Sequence, residues 1–271
     1  MEPSPSPDSG TWHYGLIARW WAEVNTPDPA ELAYLRGAVA RFGEPALDLG
    51  CGTGRLLVPL LADGLYVDGT DISADMVDLA GSAAARAAID TAGRLAVQAF
   101  DELDLPRRYG TIFSIGSFAI GGSRDRDERA LRRIHEHLRP GGAVVLSLEV
   151  LTPEGEARLA DPDRVYPSPW PATGTRGRLA DGDDLELLGR TFAYDTATRC
   201  QTMDMRSRLW RGDRLLAEEE GRLRCTCYEP DDLQGMISAA GFVDVVVEGP
   251  YTRRPPEPAD DTIVVVARRV S

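Results

Sequence analysis

Asp48-Leu49-Gly50-Cys51-Gly52-Thr53-Gly54 holds most of the chemistry that can be read from these 271 residues. The short apolar run 45–49 reads as a strand, glycine then falls at every second position, and a helix opens at Arg55. Glycines turn the backbone tightly and let a flat ligand lie against it, outside the carboxyl end of a first strand. A dinucleotide-binding turn wants its third glycine at position 55, where Arg55 stands. Asp48 argues the same way: a carboxylate beside the turn repels a pyrophosphate and favours a ligand carrying an ammonium and a sulfonium. The next apolar run ends in Asp71, whose carboxylate can accept from both hydroxyls of an adenosine ribose, and Met76 can pack on the adenine.

Glu149 is the sharpest candidate for acid–base chemistry. It follows the apolar run 143–148 and falls at the carboxyl edge where ligands sit in such sheets, so it can act as a base or hold a substrate amine. Its structural alternative is an ion pair, with Arg19 as partner. There are only three His. His13 is a second catalytic candidate, placed where it can reach the reacting group, and equally reads as a surface helix residue; His135 sits beside a buried helical stripe, and His137 reads as solvated. Cys51, Cys200, Cys225 and Cys227 lack zinc-ligand spacing, so no metal site is expected. All 30 basic residues are Arg, which excludes pyridoxal-phosphate, Schiff-base and P-loop chemistry, each of which needs a Lys amine. With 43 acidic side chains the net charge is −13, unsuited to phosphate backbones or anionic membranes. No run approaches the roughly 18 apolar residues of a membrane span. Residues 1–10 lack the apolar core of a signal peptide. The expectation is a cytoplasmic, reduced, soluble protein that binds neither nucleic acid nor membrane.

The elements that must position these residues follow from periodicity. Asp28-Pro29-Ala30-Glu31 reads as a capping box opening a helix that Gly43 ends. Pro59 falls inside the helix that begins at Arg55, where it removes a hydrogen bond. Ser73 caps a helix carrying Met76 and Leu79, and Asp125 with Glu128 forms a second capping box before the stripe Leu131, Ile134 and Leu138. Apolar strands near 65–70, 95–99, 110–115 and 143–148 alternate with these helices, the pattern of a parallel sheet covered on both faces. Residues 153–186 hold five Pro and read as a long irregular lid. Alternating runs near 186–195, 199–211 and 214–227 then form an inserted antiparallel sheet, with Met203, Met205 and Leu209 on one face and Asp204, Arg206, Arg208 and Trp210 on the other. A helix over 230–241 and strands near 243–248 and 262–267 complete the main sheet.

Three motifs at this spacing, LDLGCGTG at 47–54, GTDIS at 69–73 with Met76, and LRPGG at 138–142, make the chain resemble the class I S-adenosylmethionine-dependent methyltransferases. The resemblance implies an α/β fold, a doubly wound and mostly parallel seven-stranded Rossmann-like sheet. Residues 1–10 would be a disordered tail, 11–44 a helical cap, 45–150 with 228–271 the cofactor-binding core, and 151–227 the lid and inserted sheet. It implies S-adenosyl-L-methionine as cofactor, its methionine part bordered by Asp48, Gly50, Gly52 and Gly54, and its adenosine by Asp71, Ile72 and Met76. The family usually has an acid just after the third strand, near the adenine amine. Here positions 99 and 100 are Ala99 and Phe100, so Asp101 after a small shift, or the backbone of Phe100, takes that place; otherwise Asp101 is a solvated loop acid. Trp12-His13-Tyr14 with Arg19, Trp20 and Trp21 resembles the cap that closes over the cofactor. Tyr14 would bond the cofactor's carboxylate end with Arg19 its ion partner, while the tryptophans pack. Gly116, Ser117 and Phe118 would separate cofactor from acceptor, and Tyr166, Trp170, Arg176 and Arg206 would shape the acceptor pocket. The plainer reading of the arginines is a solvated or dimer-facing sheet, and the inserted sheet is where a homodimer would form. The implied activity is methyl transfer to oxygen or nitrogen of a small-molecule acceptor in bacterial specialised metabolism. The alternative is a protein that binds the same cofactor without methylating, as a cyclase, hydroxylase or regulator.

Overall fold

The computed structural model describes Thr11 and residues 13–270; the expectations for residues 1–10 and Trp12 lie outside the described residues. Seven strands form the main sheet: β1 (Ala46–Leu49), β2 (Val67–Asp71), β3 (Leu95–Val97), β4 (Tyr109–Ile115), β5 (Leu138–Glu149), β10 (Val243–Glu248) and β11 (Thr262–Arg268). Their order is β10-β11-β5-β4-β1-β2-β3, parallel except at β11, which runs antiparallel to both neighbours. The chain winds outward from β1 to β3, then returns to β4 and winds the other way. The gap beyond the carboxyl ends of β1 and β4 is therefore the topological switch point, where ligands of such sheets bind.

Both faces are covered, and one strand shows it. Val144 and Leu146 of β5 join a core with Leu131, Ile134 and Ile237, while Val145 between them joins Leu35, Leu57, Leu60 and Phe113 on the opposite side. The covering helices are α2 (Pro29–Phe42), α3 (Leu57–Ala62), α4 (Ala74–Arg86), α5 (Arg124–His137) and α7 (Pro230–Ala239). Asp28 caps α2 through the Ala30 N–H and Ser73 caps α4 through the Met76 N–H. Both capping boxes need correction. Glu31 turns inward to Arg55 and Tyr251, and α5 starts after Ser123, so Asp125 lies inside its first turn and Glu128 pairs with Arg124. Pro59 sits in the first turn of the short α3, where a missing N–H costs nothing.

His137 is buried rather than solvated. Its Nε2 accepts the Leu105 N–H at 3.0 Å, so the proton lies on Nδ1, which donates to the Arg133 carbonyl at 2.8 Å. His137→Ala strands a buried N–H and opens a void. A loss of about 2–4 kcal/mol in denaturant unfolding is expected, and a change inside experimental error would show that this tie carries nothing.

The second sheet has order β6-β7-β8-β9, from β6 (Thr175–Arg178), β7 (Asp184–Asp195), β8 (Cys200–Arg211) and β9 (Arg214–Thr226). The lid is less irregular than its prolines suggest, because Thr152 caps a seven-residue helix, α6 (Pro153–Leu159), and β6 falls near its end. Leu187, Met203, Met205 and Leu223 form one face of this sheet, packed with Ile120 from the main domain and with Ile17, Trp20 and Trp21 of α1 (Gly15–Val24). The opposite face is ionic: Arg190 and Arg222 both bond Asp204, and Arg206 and Arg208 pair with Glu220 and Glu218. Among the described residues no helix is long and apolar enough to cross a membrane.

Candidate functional site

Three chain segments meet at the switch point. The glycine turn leaves β1 with positive φ at Gly50, Gly52 and Gly54, and the backbone N–H groups of Gly50 and Cys51 bond the Thr70 carbonyl of β2. From β2, Asp71 reaches across: its carboxylate accepts from the Gly52 N–H and the Ser73 N–H, each at 2.9 Å. From β4, Ser117 donates to the Gly50 carbonyl at 3.2 Å. Gly50 is required here, since a Cβ would fall 2.6 Å from the Ser117 Cβ and 2.9 Å from the Phe100 ring. Gly50, Gly52, Asp71, Phe100 and Ser117 thus meet around one turn, with Asp48 at its start and Gly116 beside Ser117.

The electrostatics suit a cation. Asp48 is 2% exposed, and its Oδ2 has no hydrogen-bond partner among the described residues. Burial pushes its carboxyl up to about 8; Arg55 pulls it back and Asp71 adds to the rise. Burial also raises Asp71, against three backbone N–H bonds that favour its charged form. An orphaned acid at the glycine turn is what a ligand ammonium would satisfy, and Asp71 keeps unused lone pairs for ribose hydroxyls. Beside it Ile72 is an exposed apolar side chain at 37%, a surface for a flat base, whereas Met76 is buried.

The cap docks over this turn. The Ser73 hydroxyl donates to the His13 carbonyl at 2.5 Å, and the first N–H groups of α1 are taken by two carboxylates: Gly15 by Asp75 of α4 at 2.7 Å, Leu16 by Glu219 of β9 at 2.8 Å. A helix N-terminus favours negative charge, so α1 is clamped between core and inserted sheet. Tyr14 lies beside Asp71 and Asp75; burial first, then these carboxylates, raise its phenol. Burial lowers the His13 imidazole to about 4, which leaves it neutral near pH 7 and a weak base.

Several expected site residues are engaged elsewhere. Arg19 pairs with Asp181 at 2.7 Å, so it is partner neither to Tyr14 nor to Glu149. Asp101 is neither solvated nor open to an adenine, because Arg126 and Arg129 hold it and the Arg126 bond keeps its carboxyl below the usual range. Phe118 is buried in the core. The Tyr166 hydroxyl donates to the Leu159 carbonyl within the lid. Arg176 bonds Glu186 and stacks on Trp210. Trp170 lies between the guanidinium groups of Arg190 and Arg206, 4.5 and 4.3 Å from its ring centroid, on the ionic face of the inserted sheet. The face turned toward the main domain is the other one. The alternation read from sequence defined both faces but could not say which would be covered.

Glu149 ends β5 as an exposed carboxylate that makes no hydrogen bond or ion pair with any described residue. Its charge acts on the thiols of Cys225 and Cys227 at the end of β9. Cys225 also bridges Ile120, so this end of the apolar face stands over the carboxyl edge of β4 and β5. Among the described residues no group of three His, Cys, Asp or Glu could hold a metal ion.

A doubly wound sheet with an acidic, glycine-built turn at its switch point defines a nucleoside-binding α/β protein. Residues 46–142 match the family model of the methyltransferase domain, the stretch that holds the glycine turn, Asp71 and the turn into β5. The fold is similar to that of an S-adenosylmethionine-dependent methyltransferase from Clostridium acetobutylicum, at 15% identity over 94% of this chain and 98% of the other, with a TM-score of 0.71. It is similar to the CcbJ methyltransferase from Streptomyces caelestis at 23% identity over 95% and 100% of the two chains, TM-score 0.67. The sugar N-methyltransferase KedS8 from Streptoalloteichus matches over 100% of both chains at 18% identity, TM-score 0.67. Residues 46–142 are thus a methyltransferase domain, and the fold built around it is the one seen in S-adenosylmethionine-dependent methyltransferases.

Proposed function

We propose that this enzyme methylates an amine or hydroxyl of a small molecule, with Glu149 receiving the acceptor. One observation carries the reading: a carboxylate without a partner among the described residues stands at the carboxyl end of β5, near enough to Cys225 and Cys227 of the inserted sheet for its charge to act on their thiols. When bound, the cofactor supplies a methyl already activated on a sulfonium. The chain has then to align an acceptor with it and exclude water. Asp48 and Asp71 would fix the cofactor's amine and ribose, and Ile72 and Phe100 would flank its base. Glu149 would orient an acceptor amine and take up the proton released when nitrogen gains the methyl, a task to which His13, pushed to about 4, is poorly suited. The likeness to KedS8, a sugar N-methyltransferase, supports a small-molecule acceptor that carries an amine.

The test is incubation with methyl-labelled cofactor and a panel of amino and hydroxy metabolites. Glu149→Gln is expected to lower kcat about 10²- to 10³-fold, with S-adenosylhomocysteine affinity unchanged. Equal loss of affinity would move Glu149 into the cofactor site. Cofactor bound but never consumed would favour a non-methylating role.

A further inference from the structure

Arg55, which follows the glycine turn directly, is the cation that favours an ionised Asp48. It is not left free to serve that carboxylate. Both its terminal nitrogens are turned to Glu31 of α2, and both side chains are largely buried, at 16% and 11% exposed. Glu31 is itself fixed by the Tyr251 hydroxyl at 2.9 Å, which shares a second bond of 2.9 Å with Ser147 of β5. Tyr251 sits at φ +47° with its ring against Tyr34. The groups facing Asp48 are thus Arg55, which is paired with Glu31 yet still favours the charged carboxylate, Asp71 of β2, which opposes ionisation, and the neutral thiol of Cys51.

We propose that Glu31 is a positioning residue for cofactor capture: by engaging Arg55 it keeps that guanidinium from closing on the buried Asp48 carboxyl, so that the cofactor's ammonium becomes the countercharge and a proton is expelled on binding. The step balances simply. The neutral Asp48 carboxyl gives its proton to the buffer, and the resulting carboxylate pairs with the incoming ammonium. The inference rests on the reading of the glycine turn as the cofactor site.

Calorimetric titration with S-adenosylhomocysteine in buffers of different ionisation enthalpy counts the protons. Wild type is expected to release close to one proton per site at pH 7, and its affinity to fall about tenfold per pH unit below about 8, where Asp48 titrates. Asp48→Asn should abolish the release. Glu31→Gln frees Arg55 to pair with Asp48, so release drops toward zero, affinity at pH 7 falls about tenfold and the pH dependence flattens. A merely structural Glu31 would weaken affinity but leave the proton count per bound ligand unchanged. Arg55→Met, which removes the cation, should shift the pH dependence upward instead, and it serves if Glu31→Gln does not fold. Binding without release in wild type, full release in Glu31→Gln, or an unmoved profile in Arg55→Met overturns the proposal. Absence of any binding overturns the cofactor-site reading beneath it.

Discussion

Asp71→Ala raises the dissociation constant for S-adenosylhomocysteine about 10²- to 10³-fold, the largest expected effect of a single side chain on the cofactor site. Two losses add. The ribose loses its acceptor, and hydrogen bonds to a charged group contribute about 1.5–3 kcal/mol each. The turn also loses its brace, because the same carboxylate ties the Gly52 N–H to the start of α4 through Ser73. Together these amount to about 3–4 kcal/mol, with 1.4 kcal/mol for each tenfold change. Calorimetry measures the affinity, and circular dichroism checks that the sheet is intact. An affinity within threefold of wild type would remove Asp71 from the site. Asp71→Asn separates the two losses, since its amide oxygen can still accept from one backbone N–H while the charge is gone.

Gly50→Ala has the largest expected effect on the turn itself. The residue stands at φ +82°, where a side chain costs about 1–2 kcal/mol. The added Cβ would fall 2.6 Å from the Ser117 Cβ and 2.9 Å from Phe100, so the loop after β4 and the Phe100 ring must part. Overpacking of this kind costs about 1–3 kcal/mol, and the sum, about 3 kcal/mol, lowers Tm by roughly 6–10 °C. Gly52→Ala is the control. It also has positive φ, at +53°, but its Cβ would meet nothing within 4 Å, so only the backbone cost of about 1–2 kcal/mol applies. Equal Tm losses in the two variants would show that backbone strain alone sets the requirement for glycine.

Most of the fold was legible because its signals are local. Pro29 after Asp28, Ser73 before Met76 and the unbroken apolar run into Glu149 each fix an element from its own residues; both helices formed where expected, and the strand did too but begins five residues earlier, at Leu138. The glycine turn was legible for the same reason: backbone conformations that exclude side chains leave a mark in residue type. Charged residues left no such mark. Asp101, Arg19, Arg176 and Arg206 looked available, yet each found a partner from another segment. With 30 Arg and 43 acids in one chain, pairings are too many to choose among without coordinates.

What the sequence alone determined, then, is the order of elements, the doubly wound sheet and the acidic glycine turn, all consequences of period, capping and backbone freedom. Tertiary structure alone decided which face of the inserted sheet looks inward, that Glu149 finds no partner among the described residues, and that Glu31, 24 positions from Arg55, faces it in space. The reason is physical: hydrophobic period and backbone preference act over a few residues, whereas the state of a buried charge depends on every segment packed around it.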